Sequence, residues 1–262
     1  MGDKGLFDCS TAQTVSLGLI IAGIPVGIIL LFIPAWYGRY GDRKRMYLGS
    51  LPAKVAWMLQ ECPSFLIPFI YLVMNLSVMK DHWVNIVCLV FFLFHYFYRA
   101  FIYPFRIQNG KNTPTELFLL AVVFCILNGY DQAVYQITPC QVHTVSWLYD
   151  PRFIIGVILF IAGLSINWQS DAILRSLRAD GSSGYKIPHG GMFEYVSGAN
   201  YFGECIEWIG YACLCWNLGA LAFAFFTIAN IGPRALQHHK WYKNTFGDEY
   251  PSSRKALIPY LL

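Results

Sequence analysis

The distribution of apolar residues constrains this fold most, because it divides most of the sequence into long apolar segments. Seven such segments span 14–36, 52–74, 83–103, 116–137, 152–170, 199–216 and 218–236. A helix that crosses a bilayer needs about 20 predominantly apolar residues. Charged residues make up only 13% of the 262 residues, against roughly 25% in soluble domains. The sequence therefore predicts an all-α membrane protein, a seven-transmembrane-helix bundle.

Basic residues predict the orientation of this bundle. With the N-terminus outside, sixteen of the 19 Lys and Arg residues lie on the inside, and only Lys4, Lys80 and Arg152 lie outside. Lys and Arg concentrate in cytoplasmic loops, so this bias favours an odd number of spans and a cytosolic C-terminus. No internal repeat or linker divides the chain. We therefore expect a single integral membrane domain over 1–262, with several spans.

The eight cysteines do not follow a metal-binding pattern. None belongs to a CxxC pair and most lie inside apolar segments, which predicts small buried side chains. Cys9 and Cys140 are the two that we place outside the membrane on the same side. A disulfide between them is possible, but we do not expect it. The adjacent His238 and His239 point about 100° apart on a helix, and we predict no metal site.

Polar residues with helical spacing flank a Gly-rich loop at 179–198. Those before and after the loop are Asn167, Asp171, Arg175 and Arg178, and then Asn200, Glu204, Glu207 and Tyr211. Residues three or four positions apart share a helix face, so two polar faces lean toward one loop. Glycines let backbone N–H groups approach a ligand closely. The pattern predicts a site for a polar, anionic ligand; a flexible surface loop is the alternative.

Glu61 lies near the middle of the second apolar segment. An ionised acid at that depth costs roughly 2.5–3.5 kcal/mol, so it needs a partner, a proton or a wet cavity. Pro63 and Pro68 follow it, and each removes a helix hydrogen bond. An acid on a bent helix favours a cavity. A purely structural pair with Gln60 or a neighbouring helix is the alternative.

The third apolar segment ends with Tyr96, Arg99 and Tyr103 on one helix face. Such residues often serve only as interfacial anchors, but antiparallel packing would set Tyr96 opposite Glu61. The sequence contains neither G-x-G-x-x-G after a strand nor G-x-x-x-x-G-K-[ST]. A bound nucleotide would therefore be held by side chains at the inside helix ends, where Arg residues suit phosphates.

Several long motifs resemble the steroid 5-alpha-reductases, the 3-oxo-5-alpha-steroid 4-dehydrogenases. The motifs are WMLQECPSF, HYFYRAFIYPF, NWQSDAILRSLR, GYKIPHGGMFEYVSGANYFGECIEWIGYA, and HHKWYKNTF followed by YPSSRKALIPYLL. The resemblance is strongest over 167–211 and 234–262. It implies seven membrane helices and an NADPH-dependent reduction of the C4=C5 double bond of testosterone-like or progesterone-like 3-oxo-Δ4-steroids. A hydride would be transferred to C5.

The resemblance also implies roles for individual residues. Glu61 and Tyr96 would bind and polarise the steroid C3 carbonyl, and Trp208 would line the steroid pocket. The implied NADPH-binding residues, which lie mainly in 167–262, are Tyr37, Arg99, Tyr103, Lys111, Asn167, Asp171, Arg178, Tyr185, Asn200, Glu204, Arg234, His238 and Tyr242. The chain departs from the family at Cys62, Leu120 and Asn230, which leaves the preferred steroid open.

The predicted partners follow from the same reading. We expect a steroid substrate that enters from the bilayer, contact with membrane lipid, no nucleic acid, and a monomer. The membrane would be the endoplasmic reticulum in a eukaryote or the inner membrane in a bacterium.

Three other functions are compatible with the pattern. A membrane methyltransferase that uses S-adenosylmethionine would also have polar C-terminal helices around a cofactor, although the Glu61 and Tyr96 pair favours a carbonyl substrate. A trans-2-enoyl-CoA reductase or another sterol reductase is the second alternative, and the extra basic surface expected for CoA is not seen. A receptor or transporter would place polar residues along a through-path, whereas here they concentrate on the inside half.

Overall fold

The computed structural model describes residues 7–41, 48–108, 110–138, 140–178 and 184–262. The long helices in these ranges are α1 (Cys9–Phe32), α2 (Ala53–Met74), α3 (Trp83–Phe97), α4 (Thr115–Ile137), α5 (Pro151–Ser176), α6 (Ala199–Cys215) and α7 (Leu218–Phe246). Four of the basic residues counted for the orientation, Lys4, Arg43, Lys44 and Arg45, lie outside the described residues, as does residue 181 of the Gly-rich loop. The prediction of an all-α membrane protein is confirmed.

Short elements connect these helices. Strands β1 (Ser50–Leu51) and β2 (Thr113–Pro114) pair in antiparallel orientation and join the chain ahead of α2 to the chain ahead of α4. A π-helical turn, Tyr98–Ile102, and a helical turn, Tyr103–Arg106, continue α3. The other short elements are the helical turn Leu76–Met79 and the 3-10 turns Gly38–Tyr40, Lys80–His82, Val145–Tyr149, Gly191–Glu194 and Gly247–Glu249.

Six helical segments of the described chain are long and apolar enough to cross a membrane. They are Cys9–Phe32, Ala53–Met74, Lys80–Arg106, Thr115–Ile137, Pro151–Ser176 and Leu218–Glu249. The remaining helix, α6, has 17 residues, fewer than the about 20 that span a bilayer. The seventh crossing and the orientation of the termini therefore stay predictions.

Helices α5 and α6 pack with direct backbone contact at glycines. A Cβ atom at Gly203 of α6 would lie 2.5 Å from the backbone nitrogen of Asn167 on α5. One at Gly210 would lie 2.7 Å from the carbonyl oxygen of Gly156. Small residues allow this close approach between helices in membranes. The contact brings the two predicted polar faces together, since the Asn167 side-chain amide donates to the Asn200 carbonyl at 3.0 Å.

Helix α2 continues without interruption through Pro63 and Pro68. Next to this region Gly129 of α4 lies against the α2 backbone, because a Cβ there would be 2.7 Å from the Pro63 carbonyl oxygen. The missing side chain thus lets α4 approach α2 close to Glu61. This local packing positions the acid against α4.

Aromatic side chains from four helices fill the centre of the bundle. Phe92, Phe160, Trp208 and Phe223 are buried, and the ring centroids of Trp208 and Phe223 lie 4.3 Å apart. Because lipid tails are as apolar as these side chains, helix association in a membrane rests on such packing contacts.

A disulfide joins Cys9, at the start of α1, to Cys140 after α4. The expectation that these residues do not pair was wrong. Ala12 of α1 packs with Val134 and Tyr135 of α4, and this contact brings Cys9 beside the segment that follows α4. Sequence alone does not reveal which helices are neighbours. The other six cysteines are unpaired, and the predicted burial holds for Cys88, Cys125, Cys205 and Cys215, whereas Cys62 and Cys213 are partly exposed.

Candidate active site

Glu61 faces α4 in the interior of the bundle. Its Oε1 accepts a hydrogen bond from the side-chain amide of Gln60 at 3.2 Å. Its Oε2 lies 3.9 Å from the thiol of Cys125 on α4. Gln60, the structural partner considered from sequence, does contact Glu61. Among the described residues, Oε2 then has only the weak thiol donor of Cys125 beside it. The carboxyl group therefore retains capacity for a further hydrogen bond.

Tyr96 lies on α3 and is 4% exposed. Its hydroxyl accepts a hydrogen bond from the side-chain amide of Asn128 at 3.3 Å. The ring of Tyr96 stacks near that of Trp208, with centroids 6.1 Å apart. The structure thus brings together Tyr96 and Trp208, which the sequence assigned to the substrate site.

One face of α4 connects the two proposed catalytic side chains. Cys125 contacts Glu61 and Asn128 contacts Tyr96, and the two α4 residues are three positions apart on the same helix face. Glu61 and Tyr96 also interact electrostatically. Glu61 and Tyr96 therefore both lie against α4, a wall of the site that the sequence analysis did not identify.

Arg99 lies in the π-helical turn and connects α3 to α5. Its Nη1 is 3.5 Å from Oδ2 of Asp171. Its guanidinium carbon lies 4.5 Å from the ring centroid of Trp57 and 4.7 Å from that of Tyr103. π-Helical turns are frequent at functional sites, and this one aims Arg99 inward. Arg99 also interacts electrostatically with Glu61.

Polar side chains of α5 and α6 continue this group. Asn167 and Asp171 are buried at 3% and 6% exposure, and the Asn167 amide contacts the backbone of Asn200. Glu204, one turn after Asn200, interacts electrostatically with both Arg99 and Asp171. Six expected cofactor residues therefore lie together here, and they are Arg99, Tyr103, Asn167, Asp171, Asn200 and Glu204.

Three cations surround the ring of Tyr185. The guanidinium carbon of Arg39 lies 5.0 Å from the ring centroid, that of Arg178 lies 5.8 Å away, and Nζ of Lys111 lies 5.9 Å away. Arg39 also donates to the Tyr242 hydroxyl at 3.2 Å. No ion pair between these cations and a carboxylate occurs within the described ranges. Like charges repel, so such a cluster favours an anion.

A pocket of about 150 Å³ opens beside this cluster. It is lined by Ala35, Tyr37, Gly38, Arg39, Tyr40, Arg178, Tyr185, Tyr201, Arg234, Gln237 and His238. Five of these, Tyr37, Arg178, Tyr185, Arg234 and His238, were expected from the sequence, while Lys111 and Tyr242 border the pocket through Tyr185 and Arg39. All expected cofactor residues thus fall in this pocket group or in the Arg99 group.

Some arginine N–H groups near the pocket donate no hydrogen bond to any described residue. Arg234 donates from Nη1 to the Tyr37 hydroxyl, yet its Nε has no hydrogen-bond partner among the described residues, and the same holds for Nη1 of Arg39. Buried donors without partners are rare in native structures. Burial raises the pKa of Tyr40 to about 12, although the charge of Arg39 opposes the shift, so the phenol stays protonated. The pocket wall offers donors and positive charge.

The C-terminal segment fixes the loop that carries Tyr185. Arg254 is 1% exposed, and it donates to the Pro188 carbonyl at 2.8 Å and to Glu194 Oε2 at 3.3 Å. The Gly190 backbone N–H, with help from Arg254, lowers the pKa of Glu194, so this carboxylate is ionised. The backbone of Lys255 bonds to that of Tyr195 at 2.9 Å. This clamp lies at the far end of the chain and has no local sequence signal.

The structure separates the four polar residues that follow the Gly-rich loop, which are Asn200, Glu204, Glu207 and Tyr211. Glu207 contacts Nδ1 of His95 at 2.6 Å, and Tyr211 donates to Gln132 at 3.1 Å. Both lie in the aromatic interior rather than at the pocket, so the prediction that this whole stripe lines one site was wrong. Spacing fixes which residues share a face, but not how far along that face a ligand extends.

The sequence analysis missed Arg39, Tyr201 and the polar residues of α4. Asn128, Gln132 and Gln136 recur every four residues inside an apolar segment, and all are buried. That spacing was visible and would have identified a polar stripe on the fourth span. No group of three or more potential metal ligands occurs in the part of the chain that the structure describes.

Comparisons with known proteins point to one family. The sequence profile of the 3-oxo-5-alpha-steroid 4-dehydrogenase family matches residues 111–262. The chain is 46% identical over 211 residues to 3-oxo-5-alpha-steroid 4-dehydrogenase 1 of Homo sapiens, across 80% of this chain and 81% of the relative. It is 45% identical over 241 residues to 3-oxo-5-alpha-steroid 4-dehydrogenase 2 of Homo sapiens (91% and 93%). It is 43% identical over 242 residues to 3-oxo-5-alpha-steroid 4-dehydrogenase 1 of Bos taurus (92% and 93%).

Proposed function

Because this chain belongs to the 3-oxo-5-alpha-steroid 4-dehydrogenase family of oxidoreductases, we propose that it reduces the C4=C5 double bond of 3-oxo-Δ4-steroids to 5-alpha-3-oxosteroids, with NADPH as the reductant. The observation that supports this reaction best is that Glu61 and Tyr96 both contact one face of α4, with Tyr96 beside Trp208. An acid and a phenol at one point of an apolar interior suit a lipid-like ketone.

Glu61 and Tyr96 act as hydrogen-bond donors to the C3 carbonyl oxygen. As negative charge develops on that oxygen, the two donors stabilise it in the manner of an oxyanion hole. Withdrawal of electrons toward the oxygen makes C5, at the far end of the conjugated system, electrophilic. The aromatic interior around Trp208 excludes water, which strengthens both hydrogen bonds.

The residues around Tyr185 fit the phosphate groups of NADPH. Arg39, Arg178 and Lys111 supply positive charge there, and Arg234 has an unpartnered Nε. Guanidinium groups pair well with phosphates. A pocket of about 150 Å³ accommodates only part of a dinucleotide, since small-molecule sites measure about 300–1,000 Å³. The phosphates therefore belong in this pocket.

The Arg99 group lies between the pocket residues and Glu61 and fits the remainder of the cofactor. Asn167, Asp171 and Glu204 provide donors and acceptors there. When bound, NADPH supplies a hydride. The chain's own contribution is to hold the cofactor and the steroid ketone at neighbouring positions and to stabilise charge on the ketone oxygen.

For the membrane topology we propose seven crossings, with the N-terminus outside and the C-terminus cytosolic. Two observations support this orientation. Lys and Arg concentrate on one side of the predicted membrane. The Cys9–Cys140 disulfide lies on the opposite side, and disulfides persist in oxidising compartments. Outside then means the lumen of the endoplasmic reticulum in a eukaryote or the periplasm in a bacterium. An impermeant thiol reagent should reach Lys80→Cys from outside and Lys243→Cys from the cytosol; the reverse pattern contradicts the orientation.

The test of the activity is NADPH consumption by the purified protein in lipid nanodiscs. The substrates are a panel of Δ4-3-ketosteroids, with trans-2-enoyl-CoA esters as controls, and the configuration at C5 of each product is determined. We expect consumption with the steroids alone and 5-alpha products. Turnover of the enoyl-CoA esters without turnover of any steroid, or binding of S-adenosylmethionine in place of NADPH, would contradict the proposal.

A further inference from the structure

A chain of three hydrogen bonds runs through the interior of the bundle and ends at Tyr96. The Tyr211 hydroxyl donates to Oε1 of Gln132 at 3.1 Å. Nε2 of Gln132 donates to Oδ1 of Asn128 at 3.3 Å. Nδ2 of Asn128 donates to the Tyr96 hydroxyl at 3.3 Å. Three helices, α6, α4 and α3, contribute to this chain.

With the amide groups of Asn128 and Gln132 oriented as they are here, the hydrogen-bond chain has one direction. An amide nitrogen only donates and an amide oxygen only accepts. Each link therefore donates toward Tyr96, whose oxygen receives the last hydrogen bond. The proton of the Tyr96 hydroxyl is then directed away from Asn128. In the opposite direction, Tyr96 would donate to Asn128 and would lose its proton as a donor to a ligand.

The surroundings make this arrangement rigid. Asn128, Gln132 and Tyr211 are each 0% exposed. The ring of Phe92 lies 4.6 Å from that of Tyr96 and 5.7 Å from that of Tyr211. A hydrogen bond in such an apolar interior is stronger than in water, and an unpaired polar group is costly. All four side chains are therefore held in one arrangement.

We propose that Asn128 and Gln132 are positioning residues that hold the Tyr96 hydroxyl as a donor to the substrate carbonyl, with Tyr211 fixing the far end of the chain. This inference rests on the proposed function, because it requires Tyr96 to act on the carbonyl. As charge grows on the carbonyl oxygen, the phenol proton shifts toward it and the phenol oxygen becomes more negative. Donation from Asn128 stabilises that oxygen, so its effect is larger in the transition state than in the bound ground state.

The test is a double-mutant cycle with Asn128→Leu and Tyr96→Phe in the full-length protein. Leu has the same branching and the same number of side-chain heavy atoms as Asn but no donor. With Tyr96 present, Asn128→Leu should lower kcat about tenfold, the value of one hydrogen bond in an apolar site. The KM for the steroid and the Kd for NADPH should stay unchanged. With Phe at position 96, the same substitution should have little further effect on kcat, because no hydroxyl is left to position.

Asn85 provides a matched control. It is a buried asparagine that donates to the Gln141 carbonyl at 2.7 Å and accepts from the His143 backbone N–H at 2.9 Å. Neither bond belongs to the hydrogen-bond chain that ends at Tyr96. Asn85→Leu should lower the thermal midpoint at least as much as Asn128→Leu, while kcat stays at the wild-type value. A fall in kcat for both variants in proportion to lost stability would mean a merely structural role.

Gln132→Met keeps the inference testable if Asn128→Leu does not fold. It removes the second link and should lower kcat less than Asn128→Leu, again only when Tyr96 is present. If Tyr96→Phe slows catalysis but Asn128→Leu acts fully in both backgrounds, the positioning role is wrong and the proposed function stands. If Tyr96→Phe itself has the wild-type kcat, both the role of Tyr96 and this inference are wrong.

Discussion

Nδ1 of His95 and Oε1 of Glu207 lie 2.6 Å apart, and their side chains are 6% and 0% exposed. This pair connects α3 to α6 next to Tyr96 and Trp208. The centroid of the His95 ring lies 5.2 Å from that of Tyr96 and 4.5 Å from that of Trp208. Removing one partner of a buried pair leaves the other without its hydrogen bond. The pair is therefore expected to hold the substrate side of the bundle together.

Glu207→Ala should lower the free energy of unfolding by about 1–3 kcal/mol, the cost of leaving a buried polar group without its hydrogen bond. Glu207→Gln keeps one hydrogen bond to the imidazole and should recover most of that loss. Thermal unfolding in nanodiscs gives the measurement. Equal midpoints for the Ala variant and the wild type would show that the pair contributes nothing to stability.

Glu61→Gln should lower steroid turnover by about 10²-fold, because the carboxamide is a much weaker acid than the carboxyl group and donates a weaker hydrogen bond to the developing oxyanion. The Kd for NADPH should not change, because Glu61 lies outside the pocket beside Tyr185. Glu249→Gln, which neutralises an exposed acid, is the control and should keep full turnover. Near-normal turnover of Glu61→Gln would remove Glu61 from the polarising role.

Tyr96→Phe should slow the reduction step and leave NADPH binding intact. The step is measured by single-turnover kinetics, in which deuterated NADPH should show a larger isotope effect in the variant because chemistry becomes more rate-limiting. Tyr149 is 77% exposed, and Tyr149→Phe is the matched control. A wild-type rate for Tyr96→Phe would contradict its assignment.

Arg178→Ala should weaken NADPH binding about tenfold or more, as expected for a charge-assisted hydrogen bond, while kcat at saturating cofactor changes little. Arg106 is a suitable control, because its guanidinium bonds to the Tyr98 hydroxyl at 3.0 Å and does not line the pocket. An unchanged Kd in Arg178→Ala, or an equal loss in Arg106→Ala, would mean that the phosphates bind elsewhere.

Arg254→Ala should loosen the segment 185–198 and, through Tyr185, weaken the binding of NADPH. The substitution removes the buried bonds to the Pro188 carbonyl and to Glu194, at a cost of about 2–4 kcal/mol in stability. Hydrogen exchange of the segment measures the local effect. Arg254→Lys should rescue little, since one ammonium group does not reproduce the fork geometry of a guanidinium. Exchange as slow as in the wild type would show that the clamp is dispensable.

The sequence predicted much of the helical framework from local patterns. The predicted segment 52–74 agrees within one residue with α2, Ala53–Met74, because apolar helices in a membrane begin and end with their apolar residues. The apolar segment 152–170 ends before α5 does, because the helix continues to Ser176 through the polar residues whose helical spacing was predicted. There the apolar pattern ends at the polar side chains that the helix presents to its neighbours.

The sequence also identified Glu61 and Tyr96, because polar groups within apolar segments are costly and therefore conspicuous. It did not identify their partners. The contacts of Cys125 with Glu61 and of Asn128 with Tyr96 depend on which face of α4 turns inward, and Gly129 decides how closely α4 approaches α2. Such contacts link positions far apart in the chain, so even the visible spacing of Asn128, Gln132 and Gln136 does not reveal which side chain each residue meets.

The sequence by itself determined a helical membrane protein, the approximate limits of its helices and the residue types that suit a ketone and a phosphate. These properties depend on composition and on spacing within single helices. Only the tertiary structure decided that Cys9 reaches Cys140, that Glu207 pairs with His95 rather than lining the pocket, and that Arg39 lies beside Tyr185. Each of these depends on lateral packing between helices, where close approach of small residues and the pairing of buried polar groups select one arrangement among many.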